Sequence, residues 1–208
     1  MESLAYLIKQ RWPGLFRLIE RLARRFSSLR FGRRIKAAQQ AATVTGSVDG
    51  RAAEIQSIGV DDLATLHEFL FNLPDDWLKY FHPHPFDRKG LQTVLRSRAF
   101  LNYGLFVEGN LIGYALLKVA PTGSAFIGLL VHPDFSRLGI GKFIVAYLYW
   151  QGSLAELRVR STISKTNPAS LKSHQAVADY QIVAELPNDY IMIEFPAEPR
   201  ERPELQLP

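Results

Sequence analysis

Two stretches of this 208-residue sequence hold residues whose types and spacing suit chemistry. The first is "VHPDFSRLGIGK", Val131 to Lys142, in which Gly139 and Gly141 stand at a strand-to-helix corner beside Ser136, Arg137 and Lys142. Glycines let backbone come close to a ligand, and a helix start offers free amide N–H groups and a positive dipole end. The amides of Arg137, Leu138, Gly139, Ile140, Gly141 and Lys142 would suit a pyrophosphate. The spacing excludes two commoner phosphate motifs. A dinucleotide fingerprint needs G-x-G-x-x-G in an opening βαβ unit, and a P-loop needs G-x-x-x-x-G-K followed by Ser or Thr. A plain connection with two turn glycines is the competing reading.

The second stretch is "YFHPHPFD", in which His82 and His84 are pinned by Pro83 and Pro85. Proline fixes the backbone, so the imidazoles point in set directions at reduced entropic cost. With five histidines in the chain, no third one near this pair and no cysteine at all, a metal site is set aside. The alternatives are a role in acceptor binding or base catalysis, and a purely structural loop. Asp75, Asp76 and Asp87 offer charge for a cationic amine, against helix caps and solvated acids. His132, beside Pro133, reads as a turn residue.

The elements that must position these residues follow a strand-helix alternation. "RAAEIQSI" predicts a first strand, and "DDLATLHEFLFNL" from Asp61 a helix with apolar spacing at Leu63, Leu66, Phe69 and Leu70. "RKGLQTVLRS" predicts a second, shorter helix. "YGLFVEGNLIGYALLKV" reads as a hairpin turning at Glu108, Gly109 and Asn110. "SAFIGLLV" is a buried strand leading into the glycine corner and a helix over 142–151. "ELRVRSTIS" alternates as a strand, a helix starts in "NPASLKSHQAVAD", and "YQIVAEL" and "DYIMIEF" close the sheet around Pro187 and Asn188.

Charge is unevenly spread. Residues 1–36 hold ten Lys or Arg and two Glu, a net +8, while the remainder holds fifteen basic and eighteen acidic residues, a net −3. The high pI therefore belongs to an arm, and it does not argue for nucleic-acid binding by the domain. Within the arm Leu15, Leu18, Ile19, Leu22, Phe26 and Leu29 recur at helical spacing, with Arg17, Arg21, Arg24, Arg25 and Ser28 largely opposite, and Trp12 and Phe16 near the start. This basic amphipathic helix suits an anionic membrane surface, docking on its own domain, or a second subunit in a homodimer. An organellar presequence is a further reading, weakened by Glu2 and Glu20. Residues 37–50 read as a linker, 51–196 as the domain, and 197–208, rich in proline and charge, as an irregular tail. At 47% hydrophobic and 22% charged the chain is globular in composition, and the lack of cysteine excludes a disulfide framework or thiol nucleophile. No apolar run is long enough to span a bilayer, and no secretory signal is recognisable, so an intracellular, cytoplasmic protein is expected, peripheral to a membrane if the arm binds one.

The stretch "GLLVHPDFSRLGIGKFIVAYL" resembles the acyl-CoA-binding motif of the GNAT superfamily of N-acetyltransferases: a strand, a V-x-P-like turn, then Q/R-x-x-G-x-G/A opening a helix. Gly139 and Gly141 match its two small positions, and Ser136 stands where Gln or Arg is usual, with Arg137 one place later. "SKTNPASLKSHQAVADYQIV" is similar to the family's later segment, matching at Asn167 and Ser170. His174 occupies the place often held by a tyrosine that protonates the leaving thiolate, and Tyr180 is the nearest aromatic. The resemblance spans about residues 51–196 and implies an α/β (α+β type) fold, with a mixed, mostly antiparallel central sheet, helices on both faces and the basic helix added.

It further implies that "AFIGLLV" and "ELRVRSTIS" splay apart. Main-chain groups of Leu129 and Val131 would then bind pantetheine, the amides of 137–142 the diphosphate, and Asn167 the thiol end. The implied reaction moves an acyl group, acetyl by expectation, from acyl-CoA to the primary amine of a small molecule such as an amino sugar, without a metal. His174 and Tyr180 are candidate acids, His84 a candidate base, and His82, His84 and Phe86 candidate acceptor contacts. The competing function is a non-catalytic acyl-CoA sensor or scaffold.

Overall fold

The computed structural model describes residues 13–208, and the expected stripe at Leu15, Leu18 and Ile19 with its Arg17, Arg21 and Arg24 lies outside the described side chains, as Trp12 lies outside the described residues. Helix α1, Pro13–Gln40, precedes a hairpin of β1, Val44–Val48, and β2, Arg51–Ser57. Helices α2, Leu63–Phe71, α3, Asp75–Leu78, and α4, Arg88–Leu95, lead into β3, Phe100–Val107, β4, Asn110–Val119, and β5, Ser124–Val131. Then come α5, Ile140–Leu154, β6, Arg158–Ser164, α6, Pro168–Gln175, β7, Gln181–Leu186, β8, Tyr190–Glu194, and β9, Leu205–Leu207. The strands join in one sheet in the order β7-β8-β6-β5-β4-β3-β2-β1-β9. Among the described residues only β5–β6 and β1–β9 pair in parallel, so the sheet is mixed and mostly antiparallel, as expected.

Strand alternation gives the sheet two covered faces. Odd-numbered residues of β4, Ala115 and Leu117, pack in one cluster with Phe143, Ile144 and Leu148 of α5, while even-numbered Tyr114 and Leu116 pack with Leu66 and Leu70 of α2 and Leu91 of α4. The α5 face also receives the C-terminal half of α1, which buries Phe31, Ile35 and Ala38. Burying one large apolar side chain stabilises by about 1.5–3 kcal/mol, which fixes this half of the helix to the domain.

Two boundaries differ from the sequence reading. Residues 37–50 are not a linker: α1 continues to Gln40, and β1 pairs with β2 from Val44↔Ile55 to Val48↔Arg51. Its turn residues Asp49 and Gly50 have φ 53° and 71°, the left-handed pair that a tight hairpin needs and that Asp-Gly supplies. Nor is the tail irregular throughout. Leu205 to Leu207 add to the far edge in parallel with Gly46 to Val48, satisfying backbone that β1 would otherwise expose. Arg202 Nη2 donates to Thr43 O at 2.7 Å, and the Arg200 amide to Ser153 Oγ at 3.1 Å, tying the crossing segment down. The helix expected over 142–151 runs from Ile140 to Leu154, and the last turn uses Asn188 and Asp189, at φ 61° and 58°, one residue later than expected.

Candidate active site

The centre of the sheet opens into a wedge. β5 and β6 pair only at Ser124, Ala125 and Phe126 with Arg158, Val159 and Arg160. Beyond these rungs β5 stays with β4 as far as Val131↔Gly113, and β6 goes with β8 as far as Ser164↔Tyr190, as the expected splay requires. The His132 amide donates to Ile112 O at 2.8 Å, which sets the phase of β5. Even-numbered residues spend their main-chain groups on β4, so those of Ile127, Leu129 and Val131 face the wedge.

At the wide end of the wedge lies the glycine corner. A short helical turn at Pro133–Phe135 is followed by Arg137 at φ 66° and Gly139 at φ 76°. Left-handed residues in such a run turn successive N–H groups to one side and make an anion-binding concavity. The first α-helical closure is Phe143 N–H to Gly139 O at 3.0 Å, so the amides of Gly139 to Lys142 come before the ladder of α5. The two glycines are there for different reasons. Gly139 supplies the positive φ, and a Cβ on it would be in ordinary contact with Leu207 of β9 at 3.7 Å. Gly141 admits α6: a Cβ there would stand 3.0 Å from Ser173 Oγ.

On the α2/α4 side, a cavity of about 410 Å³ reaches the narrow end of the wedge, lined by Ile127 of β5, Thr162 of β6, Lys118 of β4, His82, Pro83 and Ala23 of α1. The His82 ring stacks 6.2 Å from Phe86, which in turn stacks 6.0 Å from Phe81 in the core. His84 turns inward instead. Its Nε2 is 3.0 Å from Tyr114 Oη, whose proton goes to Asn102 Oδ1 at 2.8 Å, and its Nδ1 is 2.9 Å from Pro85 O. The Asn102 amide group faces the Val94 and Phe100 carbonyls, so Tyr114 Oη and Pro85 O both face the imidazole as acceptors, and a neutral ring donates to one of them. Burial, and after it Lys118, push the His84 pKa below the ordinary value, against the Pro85 carbonyl that raises it.

The loop before these histidines straddles the mouth of the wedge. Trp77 Nε1 donates to Val131 O at 2.6 Å, and Tyr80 Oη lies 3.1 Å from both Thr166 O and Thr166 Oγ1 on the other side. The loop is rich in proline, aromatics and histidine, and nothing in its sequence foretells these two partners. Asp75 and Asp76 sit exposed in the first turn of α3, and Asp87 precedes α4 without a side-chain cap bond. His132 Nδ1 accepts the Asp134 amide at 3.3 Å, as a turn residue should.

The remaining expected residues lie on the α5 face, away from His84. Asn167 caps α6, its Oδ1 accepting the Ser170 amide at 3.1 Å. His174 is 1% exposed, its ring stacks 6.1 Å from Phe195, and its Nδ1 donates to Ser170 O at 2.8 Å. Its Nε2 is buried without a hydrogen-bond partner among the described residues, and burial lowers its pKa. Tyr180, partly buried, meets Phe195 edge-on at 6.2 Å. Among the described residues no group of three or more His, Cys, Asp or Glu is placed to hold a metal.

A wedge between two parallel strands, closed by an amide-rich corner, is the architecture of an acyl-CoA transferase. The acetyltransferase (GNAT) family model matches residues 65–178, more than half of the chain, and the protein belongs to that family, whose members are N-acetyltransferases. Solved structures agree at the level of fold. The GNAT domain of an S. lividans protein named PAT superposes with TM-score 0.65 at 15% identity, covering 74% of this chain and 97% of that one. A ribosomal-protein-S5-alanine acetyltransferase from Vibrio fischeri gives 0.58 at 14%, covering 73% and 96%. An aminoglycoside acetyltransferase in complex with coenzyme A and kanamycin gives 0.53 at 19%, covering 68% and 93%. No curated protein matches the sequence.

Proposed function

We propose that the protein transfers an acyl group, in the simplest case acetyl, from CoA to the primary amine of a small molecule. The observation that carries this reading is the continuity of the wedge. It joins an anion-binding corner at one end to a separate cavity at the other, so a long thioester and an amine can approach from opposite sides. The amides of 137–142 would hold the diphosphate, and main-chain groups of Leu129 and Ile127 the pantetheine, in the manner of an added strand. Acyl-CoA supplies the activated carbonyl: a C–N bond forms, the C–S bond breaks, the amine loses a proton and the thiolate gains one.

His82 lines the cavity and is the group proposed to take the amine's proton, with His84 as a positioning residue that holds the loop through Tyr114. His174 has its Nδ1 proton committed to Ser170 O, so the thiolate's proton is assigned to Tyr180. The small-molecule acceptor, rather than a protein tail, is supported by the bounded volume of the cavity, about 410 Å³. Thiol release from acetyl-CoA, followed across soluble amino sugars, polyamines, amino acids and peptides, tests the reading. Release with a small amine, lost on His82→Ala and slowed on Tyr180→Phe, is expected. Release with peptides alone, or none with any amine while acetyl-CoA still raises the melting temperature, overturns it.

A further inference from the structure

We infer that α1 is a docking surface for an anionic phospholipid bilayer and that it brings the acceptor cavity to the headgroup layer, so that the accepted amine is carried by a membrane lipid. The docking stands by itself; the choice of acceptor rests on the acyltransfer reading.

The helix has two faces. Ser27, Phe31, Ile35 and Ala38 are 0, 7, 2 and 0% exposed against the domain. On the opposite side Leu22, Phe26 and Leu29 are 56, 53 and 87% exposed, and their spacing of four and three places them on one stripe. Exposed Arg33 and Lys36 continue the stripe and exposed Arg25 and Arg30 flank it. No acidic residue occurs from Arg21 to Gln40. A row of large apolar side chains within a purely basic field fits the boundary between anionic headgroups and acyl chains. A second copy of the chain would set like charges against each other, and nucleic acid has no use for the apolar row. No helix among the described residues is long and apolar enough to cross a membrane, so α1 would lie along the surface. The net −3 of the remaining chain is repelled by the same surface, which orients the molecule with α1 down.

This helix also forms part of the cavity wall. Ala23, next to Leu22 and three residues from Phe26, lines the cavity, and Arg30 Nη1 donates to Pro121 O at 3.3 Å, Pro121 being another lining residue. A bilayer met by the stripe therefore lies beside the cavity. Lys118 and His82 within it suit an acceptor that carries an anion next to its amine, as a phosphoethanolamine headgroup does.

Co-sedimentation of the full chain with vesicles tests the docking. Binding to phosphatidylglycerol-containing vesicles, absence from phosphatidylcholine alone and weakening by salt are expected. A Leu22→Ser, Phe26→Ser, Leu29→Ser triple variant and an Arg25→Glu, Arg33→Glu double variant should each lower affinity roughly tenfold or more at unchanged melting temperature. Equal pelleting of the variants, no pelleting of the parent, or a dimer in solution that the triple variant abolishes overturns the docking. For the acceptor, thiol release from acetyl-CoA is compared on vesicles carrying phosphatidylethanolamine or an alkyl-linked amino sugar, and on soluble phosphoethanolamine and free amino sugar. Faster release from either membrane-borne amine supports the inference and identifies the source. Release from the soluble amines alone overturns the acceptor assignment. No release from any of the four also overturns it; if acetyl-CoA still stabilises the protein, the failure extends to the transfer reading and the docking result stands apart.

Discussion

Gly139 and Gly141 illustrate how far one residue can be read from sequence. Their spacing points to a strand-to-helix corner, and β5 and α5 are joined by one. What spacing does not convey is that only Gly139 has a positive φ, while Gly141 is a packing contact with Ser173. Gly139→Ala forces an alanine into the left-handed region and should cost about 1–2 kcal/mol, read as a lowered melting temperature with weaker acetyl-CoA binding. Gly141→Ala presses on Ser173 Oγ, and Gly141→Ala with Ser173→Ala should recover much of the loss, a coupling that a thermodynamic cycle measures. Trp77→Phe removes the donor on Val131 O and leaves that carbonyl open to pantetheine, so acetyl-CoA should bind about two- to tenfold tighter by calorimetry, the worth of one neutral hydrogen bond. The environment of His174 was illegible for a different reason. Ser170 O lies one turn back in α6 itself, but the stacking partner Phe195 is set by how α6 packs against the residue that follows β8, which no local pattern encodes.

At the scale of elements, the central strands and both helical layers were legible because each carries its own periodicity and turn residues. β1 was also within reach: "SVDGRA" holds Asp-Gly between alternating residues, a strong hairpin signal that its surrounding small residues obscured. β9 was not within reach, since three residues show no period and their partner Gly46 lies near the other end of the chain. That partner explains the glycine. A Cβ at Gly46 would fall 1.8 Å from Leu205 O, inside the backbone of β9. Gly46→Ala should therefore expel the tail, and its melting temperature should match that of a chain truncated after Phe195, while the same substitution in the truncated chain adds little.

For the whole molecule, a half-buried histidine and a buried one on opposite faces tie stability to pH. His84 and His174 have pKa values below their ordinary value, chiefly through burial. The unfolded chain then binds more protons than the folded one between the lowered values and about 6.5, so stability is complete above that range and lost as pH falls through it. Thermal unfolding followed from neutral to acid pH should show this decline, and His174→Gln should flatten its share.

The strap has an optical consequence. Of the three tryptophans, Trp150 is 5% exposed in the core, whereas Trp77 is 41% exposed with its indole hydrogen-bonded at the wedge. A ligand that enters between β5 and β6 must either break that bond or tighten around it, and the two outcomes shift the emission of Trp77 in opposite directions. The protein thus carries an intrinsic fluorophore on the threshold of its own site, able to time the arrival of a cofactor that itself has no fluorescence.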